Sequence, residues 1–270
     1  MTASHHPPDP RPHPDPPPRP APPPDPAPRP RGGRARAGAA VCWILGSGLV
    51  VGAVAGTWAV RKAQEVPAGQ AAWNRAAALW HEQPVDTLFP PVLVGDGAGP
   101  GSSDRRWTRS SVAPDAPCAP ALGAAWTGAL TPVGCTRLLR ATYTDATRSS
   151  VVSVGMVFTP AGPDAMTGLR TRFEPTAPPP PAYGLADRQR AGWAVSVLPD
   201  APVVVYAVSA FADGRTVDRP RPAASATAAA DTSATAQAGL GHEAQAVADR
   251  VERALRRTAA SPAPQPADAP

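Results

Sequence analysis

TRLLRATYTDATRSSVVSVGMVF, residues 136–158, is the stretch that decides the fold. Its two β-prone runs, 136–144 and 150–158, are separated by the polar sequence DATRS. In the second run every even position from Val152 to Phe158 is apolar, and this alternation is typical of a strand with one buried face. The two runs therefore predict a β-hairpin.

A second pair of strand-like runs, GWAVSVL (192–198) and PVVVYAVSAF (202–211), follows the first. Helical periodicity occurs before, between and after the two pairs, and it predicts helices at 68–82, 118–130, 163–173 and 242–257. This order of helices and strands is typical of an α+β fold. We therefore expect a small antiparallel sheet that is covered by helices on one face.

The last predicted helix has the clearest pattern of the four. Asp249 with Arg253, and Glu252 with Arg256, form acid-to-base pairs four residues apart on its polar face. The opposite face is apolar and predicts a helix that docks on the sheet. That face consists of Ala244, Val247, Ala248, Val251, Ala254 and Leu255.

An apolar stretch without a charged residue, GAAVCWILGSGLVVGAVAGTWAV, runs from residue 38 to residue 60. As a helix it would be roughly 33 Å long, enough to cross a bilayer core of about 30 Å. Trp43 and Trp58 lie near its ends, where aromatic side chains favour the headgroup region. The stretch therefore predicts one transmembrane helix. Its small residues recur every four positions on one face and predict helix pairing into a homodimer: Gly48, Gly52 and Gly56.

A cleaved signal peptide is the alternative interpretation of this stretch. Ala53, Val54 and Ala55 would then supply the small-residue cleavage site. The region that precedes the apolar stretch is rich in proline and far longer than the usual start of a signal peptide. We therefore expect an uncleaved anchor.

The proline content limits how much of the chain can fold. Many of its 39 prolines precede the apolar stretch, where proline favours extended polyproline II and opposes helices and inner strands. We therefore expect five parts along the chain. They are a disordered Pro-rich cytoplasmic tail (1–37), the transmembrane helix (38–60), a juxtamembrane helix or stalk (61–83), an extracytoplasmic α+β domain (84–258) with flexible loops near 174–184 and 213–240, and a disordered C-terminus (259–270).

The orientation follows from the basic residues that flank the apolar stretch. Four arginines precede it closely, whereas three basic residues follow it, and this bias favours a cytoplasmic N-terminus at the cell membrane. Cys118 and Cys135 are separated by 17 positions in the C-terminal part, and a disulfide between them would require an oxidising compartment. The expectation is a single-pass protein whose disulfide-containing domain lies outside the cytoplasm.

The charge distribution argues against nucleic-acid binding. The formal net charge of +5 arises around the apolar stretch, because 18 Arg are balanced by 18 Asp and Glu after residue 62. Outside the tail only His81 and His242 could serve a nucleophile or, with the cysteines, a metal, and their spacing does not match a zinc site. No catalytic residue, cofactor or metal ligand is predicted.

Three segments carry a family resemblance: WTRSSVAPDAPC, ALGAAWTGALTPVGCTRLLRATYTDA and VVSVGMVF. Through them the chain resembles uncharacterised single-pass membrane proteins of high-GC actinobacteria, over about residues 60–215. The shared features are Cys118, Gly134 with Cys135, and the RATYTD strand. The resemblance implies a membrane protein and assigns no catalytic residue.

The function that these patterns favour is a membrane-anchored binding or scaffold module that meets an envelope protein or another envelope ligand. One alternative is an envelope hydrolase that works through paired carboxylates, since the domain has many acidic residues. Another is an assembly factor of a membrane complex.

Overall fold

Seven strands form one mixed sheet in this computed structural model, which describes residues 67–114 and 116–261. The strands follow the order β1-β2-β3-β4-β6-β5-β7, and neighbours are antiparallel except for β5 and β7, which are parallel. They are β1 (Val92–Gly95), β2 (Arg105–Val112), β3 (Arg137–Asp145), β4 (Ser150–Phe158), β5 (Gly192–Val197), β6 (Val203–Phe211) and β7 (Arg221–Pro222).

Helices cover both faces of the sheet. The helices are α1 (Ala68–Glu82), α2 (Val85–Leu88), α3 (Cys118–Leu130), α4 (Pro163–Phe173), α5 (Ala223–Ala226), α6 (Ala234–Gln237) and α7 (Leu240–Ala260). On one face Val205 of β6 shares a core with Val247 of α7. On the other face Val204 shares a core with Trp126 of α3 and Phe173 of α4. The expectation of a sheet covered on one face is therefore wrong, and the architecture is three-layered.

The central strands β4 and β6 explain this arrangement. Every residue of β6 is buried, and so is nearly every residue of β4. Alternate side chains of such strands enter opposite cores, so each face requires a helical cover. The hairpin β3–β4, the pair β5–β6 and the four predicted helices are confirmed by the structure.

The predicted stalk helix is instead part of the folded unit. Trp73, Ala76 and Leu79 of α1 are buried, and the Trp73 Nε1–H donates to the Ala161 carbonyl at 3.2 Å. The boundary expected at residue 84 therefore lies near residue 66, where the compact unit begins.

The segment 213–240, expected to be a flexible loop, is structured. It contains β7, α5 and α6, and Thr235 within it is buried. The Arg221 guanidinium binds the Asp231 carboxylate at 2.8 Å. Short elements of small residues escape periodicity analysis because they bury little apolar surface.

Between residues 67 and 261, apart from residue 115, no helix has both the length and the apolar character needed to cross a membrane. The tail 1–37, the predicted transmembrane helix 38–60 with Gly48, Gly52 and Gly56, and most of the C-terminal segment 259–270 lie outside the described residues. The helix α7 continues to Ala260, beyond the expected end of the domain.

Candidate functional site: the open edge of strand β5

Strand β5 lies near one end of the sheet, and its outer side is only partly covered. The short strand β7 pairs with Gly192 and Trp193 alone. Strand β7 ends at Pro222, because proline has no backbone N–H to donate to a neighbouring strand. Helix α5 begins at the next residue. The outer side of β5 beyond Trp193 therefore has no strand partner.

The backbone groups available on this edge follow from one hydrogen bond. The Val197 N–H donates outward to the Glu174 carboxylate at 3.0 Å. Residues of a strand point their backbone groups alternately to the two sides, so Val195 also directs its N–H and C=O outward. No hydrogen bond from elsewhere in residues 67–114 and 116–261 reaches these two groups. Val195 therefore presents a free donor and a free acceptor.

The open edge is the floor of a groove of about 840 Å³. Because the sheet is covered on both faces, the groove has a wall of helix α4 on one side and of α5 and α7 on the other. The main wall residues are Thr167, Arg170, Thr171 and Glu174 from α4 and its end, Ala224 from α5, and Gln245, Asp249 and Glu252 from α7.

The charge of the groove is negative. Three carboxylates, those of Glu174, Asp249 and Glu252, line it together with one guanidinium, that of Arg170, which lies 3.9 Å from Glu174. Glu252 is paired with Arg256, as the sequence predicted. The predicted pair of Asp249 with Arg253 is absent from the described ion pairs, and Asp249 instead accepts a hydrogen bond from the Gln245 amide at 2.7 Å. Asp249 therefore forms no close ion pair among the described residues, although the charge of Arg250 acts on it.

A second polar cluster lies at the start of α7, around the buried carboxylate of Glu243. This carboxylate accepts hydrogen bonds from Trp107 Nε1, from Arg105 Nε at 2.9 Å and from Ser150 Oγ at 3.3 Å. The Ser150 N–H donates in turn to Asp145 at 2.7 Å. Ser150 thus bridges two buried acids.

The pKa values of the two acids are shifted in opposite directions. Burial raises the pKa of Glu243, although the Trp107 hydrogen bond and the Arg105 charge offset part of the rise. Burial alone would raise the pKa of Asp145, but hydrogen bonds from the turn at 147–150 outweigh it and lower the pKa. Such a split is typical of an acid–base pair.

The position of the acid pair favours a structural role. Neither Glu243 nor Asp145 lines the groove at β5, the pocket beside the disulfide or the pocket beside His242. Both side chains are less than a tenth exposed. The pair joins the start of α7 to strands β2 and β4 rather than meeting a substrate in these pockets.

The predicted disulfide is present. It joins Cys118, the first residue of α3, to Cys135, which precedes β3. Closing a loop of this length stabilises the domain by about 3 kcal/mol in the chain-entropy model. The bond therefore fixes the helix that covers one face of the sheet.

The two candidate histidines lie in different surroundings. His81 is exposed and packs edge-on against Trp80, while His242 lines a pocket at the start of α7. No group of three or more His, Cys, Asp or Glu side chains suited to a metal ion occurs in the part of the chain that the structure describes.

Sequence reasoning missed Glu243 and the groove. Glu243 precedes Val247 by four positions, so helical periodicity already places it on the buried face of α7. The groove has no comparable pattern, because its residues come from α4, β5, α5 and α7.

No protein-family model, curated protein or solved structure matches the chain.

Proposed function

We propose that this chain is a single-pass membrane protein whose domain outside the cytoplasm binds an extended segment of a partner protein in the β5 groove. The free N–H and C=O of Val195 on the groove floor carry this proposal, because an added strand would pair with them. Backbone pairing supplies affinity in such a mode, while the groove walls select side chains.

The groove favours a segment that carries a basic side chain. Asp249 lines the groove and forms no ion pair within 4 Å among the described residues, although the charge of Arg250 acts on it, whereas Glu174 and Glu252 are paired with Arg170 and Arg256. A Lys or Arg of the bound segment would pair with this wall and direct the encounter electrostatically.

A separate extended segment fits the groove better than the β5 edge of a second copy. Helix α4 and helix α7 stand on either side of the open edge. The same helices flank the edge in another copy, so two such edges would meet with their helices in collision before the strands could pair.

The alternative of an envelope hydrolase has less support. Its best carboxylate pair is Glu243 with Asp145, and both are buried away from the groove. An assembly factor is compatible with the binding proposal, because its partner would then be a subunit of a membrane complex.

The binding proposal can be tested with synthetic peptides and a Val195→Pro variant. Proline at this edge position removes the outward N–H but no bond to β6, whereas Val195→Thr keeps the N–H and serves as the matched control. A short peptide that alternates Val with Lys is the probe, and titration calorimetry with the full chain is the measurement. We expect Val195→Pro to weaken binding by about tenfold, since a net hydrogen bond of about 1 kcal/mol and the fit of the strand are lost.

Two further peptides separate strand addition from simple charge attraction. An N-methylated copy of the Lys peptide keeps its charge, but the edge that would face β5 has no backbone N–H groups to donate. We expect this copy not to bind. A peptide with Glu in place of Lys should bind more weakly than the Lys peptide. Equal binding of the methylated and unmethylated copies would refute strand addition.

The membrane anchor is a second part of the proposal and has its own test. The charge-free stretch 38–60 supports it. After alkaline washing of membranes, we expect the chain to stay in the pellet with its Pro-rich tail attached. Release of a soluble form that begins near residue 56 would show cleavage instead of anchoring.

A further inference from the structure

Glu174 occupies part of the edge that a bound strand would need. Its carboxylate accepts a hydrogen bond from the Val197 N–H at 3.0 Å, at the place where the backbone carbonyl of an added strand would lie. The groove floor accordingly runs from Trp193 to Ser196 and stops short of Val197. Glu174 therefore takes the place of one residue of the ligand.

Release of Glu174 would lengthen the free edge by one hydrogen-bonding pair. In an antiparallel pairing, a residue whose backbone groups point outward exchanges two hydrogen bonds with the residue opposite it. Val195 alone thus offers two bonds to a ligand. Val195 and Val197 together would offer four, because no described hydrogen bond reaches the Val197 carbonyl. A ligand that pairs along both residues therefore has to displace the carboxylate.

The Glu174 side chain can leave Val197 without disturbing the fold. It is 33% exposed, and Glu174 begins the short 3-10 turn that follows α4. Apart from Val197, the carboxylate has one described polar partner, Arg170, at a distance of 3.9 Å. Glu174 also belongs to none of the apolar cores. Rotation of the side chain is therefore enough to uncover the Val197 N–H.

We propose that Glu174 is an autoinhibitory latch of the β5 groove, which a partner strand displaces when it pairs along Val195 and Val197. The latch rests on the proposed strand-binding function and adds regulation to it. The released carboxylate stays in the groove wall near Arg170, where a basic side chain of the ligand can pair with it. A basic segment therefore compensates for the lost Val197 contact through its backbone carbonyl and through its charge.

Titration calorimetry of the full chain with the peptide that alternates Val with Lys tests the latch. In about 1 M sodium chloride, attraction between charges is screened beyond about 3 Å, so the backbone contribution dominates. We expect Glu174→Ala to bind the peptide about five- to tenfold more tightly than the native protein, because the Val197 N–H no longer exchanges an internal acceptor for the ligand. Unchanged or weaker binding would overturn the latch.

Glu252→Ala is the matched control for this measurement. It removes a carboxylate from the opposite wall of the groove, and the described partner of that carboxylate is Arg256 rather than β5. The control should therefore bring no gain in affinity. A gain equal to that of Glu174→Ala would show that loss of wall charge, and not release of Val197, strengthens binding.

Amide hydrogen exchange at Val197 distinguishes failure of the latch from failure of the proposed function. We expect the Val197 N–H to exchange slowly in the native protein, faster in Glu174→Ala, and slowly again when the peptide saturates that variant. Fast exchange at Val197 with the peptide bound would show that the strand ends at Val195, which overturns the latch but not strand addition. Absence of peptide binding to the native protein and to Glu174→Ala alike would overturn both.

Discussion

Gly155→Ala is expected to lower the free energy of unfolding by about 3 kcal/mol or more. The added methyl group would overlap the ring of Tyr206 on the neighbouring strand. That ring cannot move aside, since it is fully buried and packs against Trp126 with 5.2 Å between the ring centres. Overpacking of a dense core typically costs about 1–3 kcal/mol, and the lack of any free space here places the cost at the upper end.

Urea unfolding of the variant measures this cost, and Gly128→Ala is the control. Gly128 lies on the exposed side of α3 with open space around its Cα, so alanine there should be neutral or stabilising. In the double variant Gly155→Ala with Tyr206→Ala the overlap is relieved, and the total loss should be smaller than the sum of the two single losses. An unchanged midpoint for Gly155→Ala would show that the strands can separate at this point.

Glu243→Ala is expected to cost about 3 kcal/mol. The carboxylate accepts three hydrogen bonds, and its removal would leave Trp107 Nε1 and Arg105 without their acceptor. Breaking a buried ion pair by removing one partner costs about 3–5 kcal/mol, and the partial exposure of Arg105 places this case at the lower end. Glu82→Ala, an exposed position at the end of α1, is the control and should change little.

Glu243→Gln, which cannot titrate, isolates the pH dependence of this site. Burial holds the pKa of Glu243 above its usual value of 4.5, so the folded state binds the proton more tightly than the unfolded state does. The resulting stabilisation is complete below about pH 4.5 and is lost as the pH rises through the folded-state pKa. The stability difference between the native protein and Glu243→Gln should therefore shrink with rising pH. A difference that grows over urea titrations from pH 4 to pH 8 would mean that the ionised form is favoured.

Local patterns were enough to predict the hairpin and the four longest helices, but not the short helices or strand β2. Its single buried apolar residue is Trp107. The neighbouring positions on the same side of the strand are arginines, Arg105 and Arg109, which bind Glu243 and Asp86. Charged residues at inward positions hide the apolar alternation that is typical of a strand. The two arginines can occupy these positions because Glu243 and Asp86, which lie outside the strand, form ion pairs with them.

The groove could not be predicted for a different reason. Its floor is open because β7 ends at Pro222, and its free backbone groups are identified by the bond from Val197 to Glu174. Each feature depends on which strands become neighbours, and periodicity contains no information about strand order. The disulfide was easier to predict, because two cysteines at a moderate separation in the sequence are enough to suggest it.

The bond between Glu174 and the edge of β5 also bears on how the protein behaves at high concentration. Unprotected sheet edges recruit other edges and begin aggregates. Here the carboxylate covers Val197, β7 covers Gly192 and Trp193, and little more than the backbone of Val195 stays open between them. At this end of the sheet, the backbone that an unrelated edge could pair with is therefore confined to Val195, which leaves less room for nonspecific pairing than a full-length free strand would.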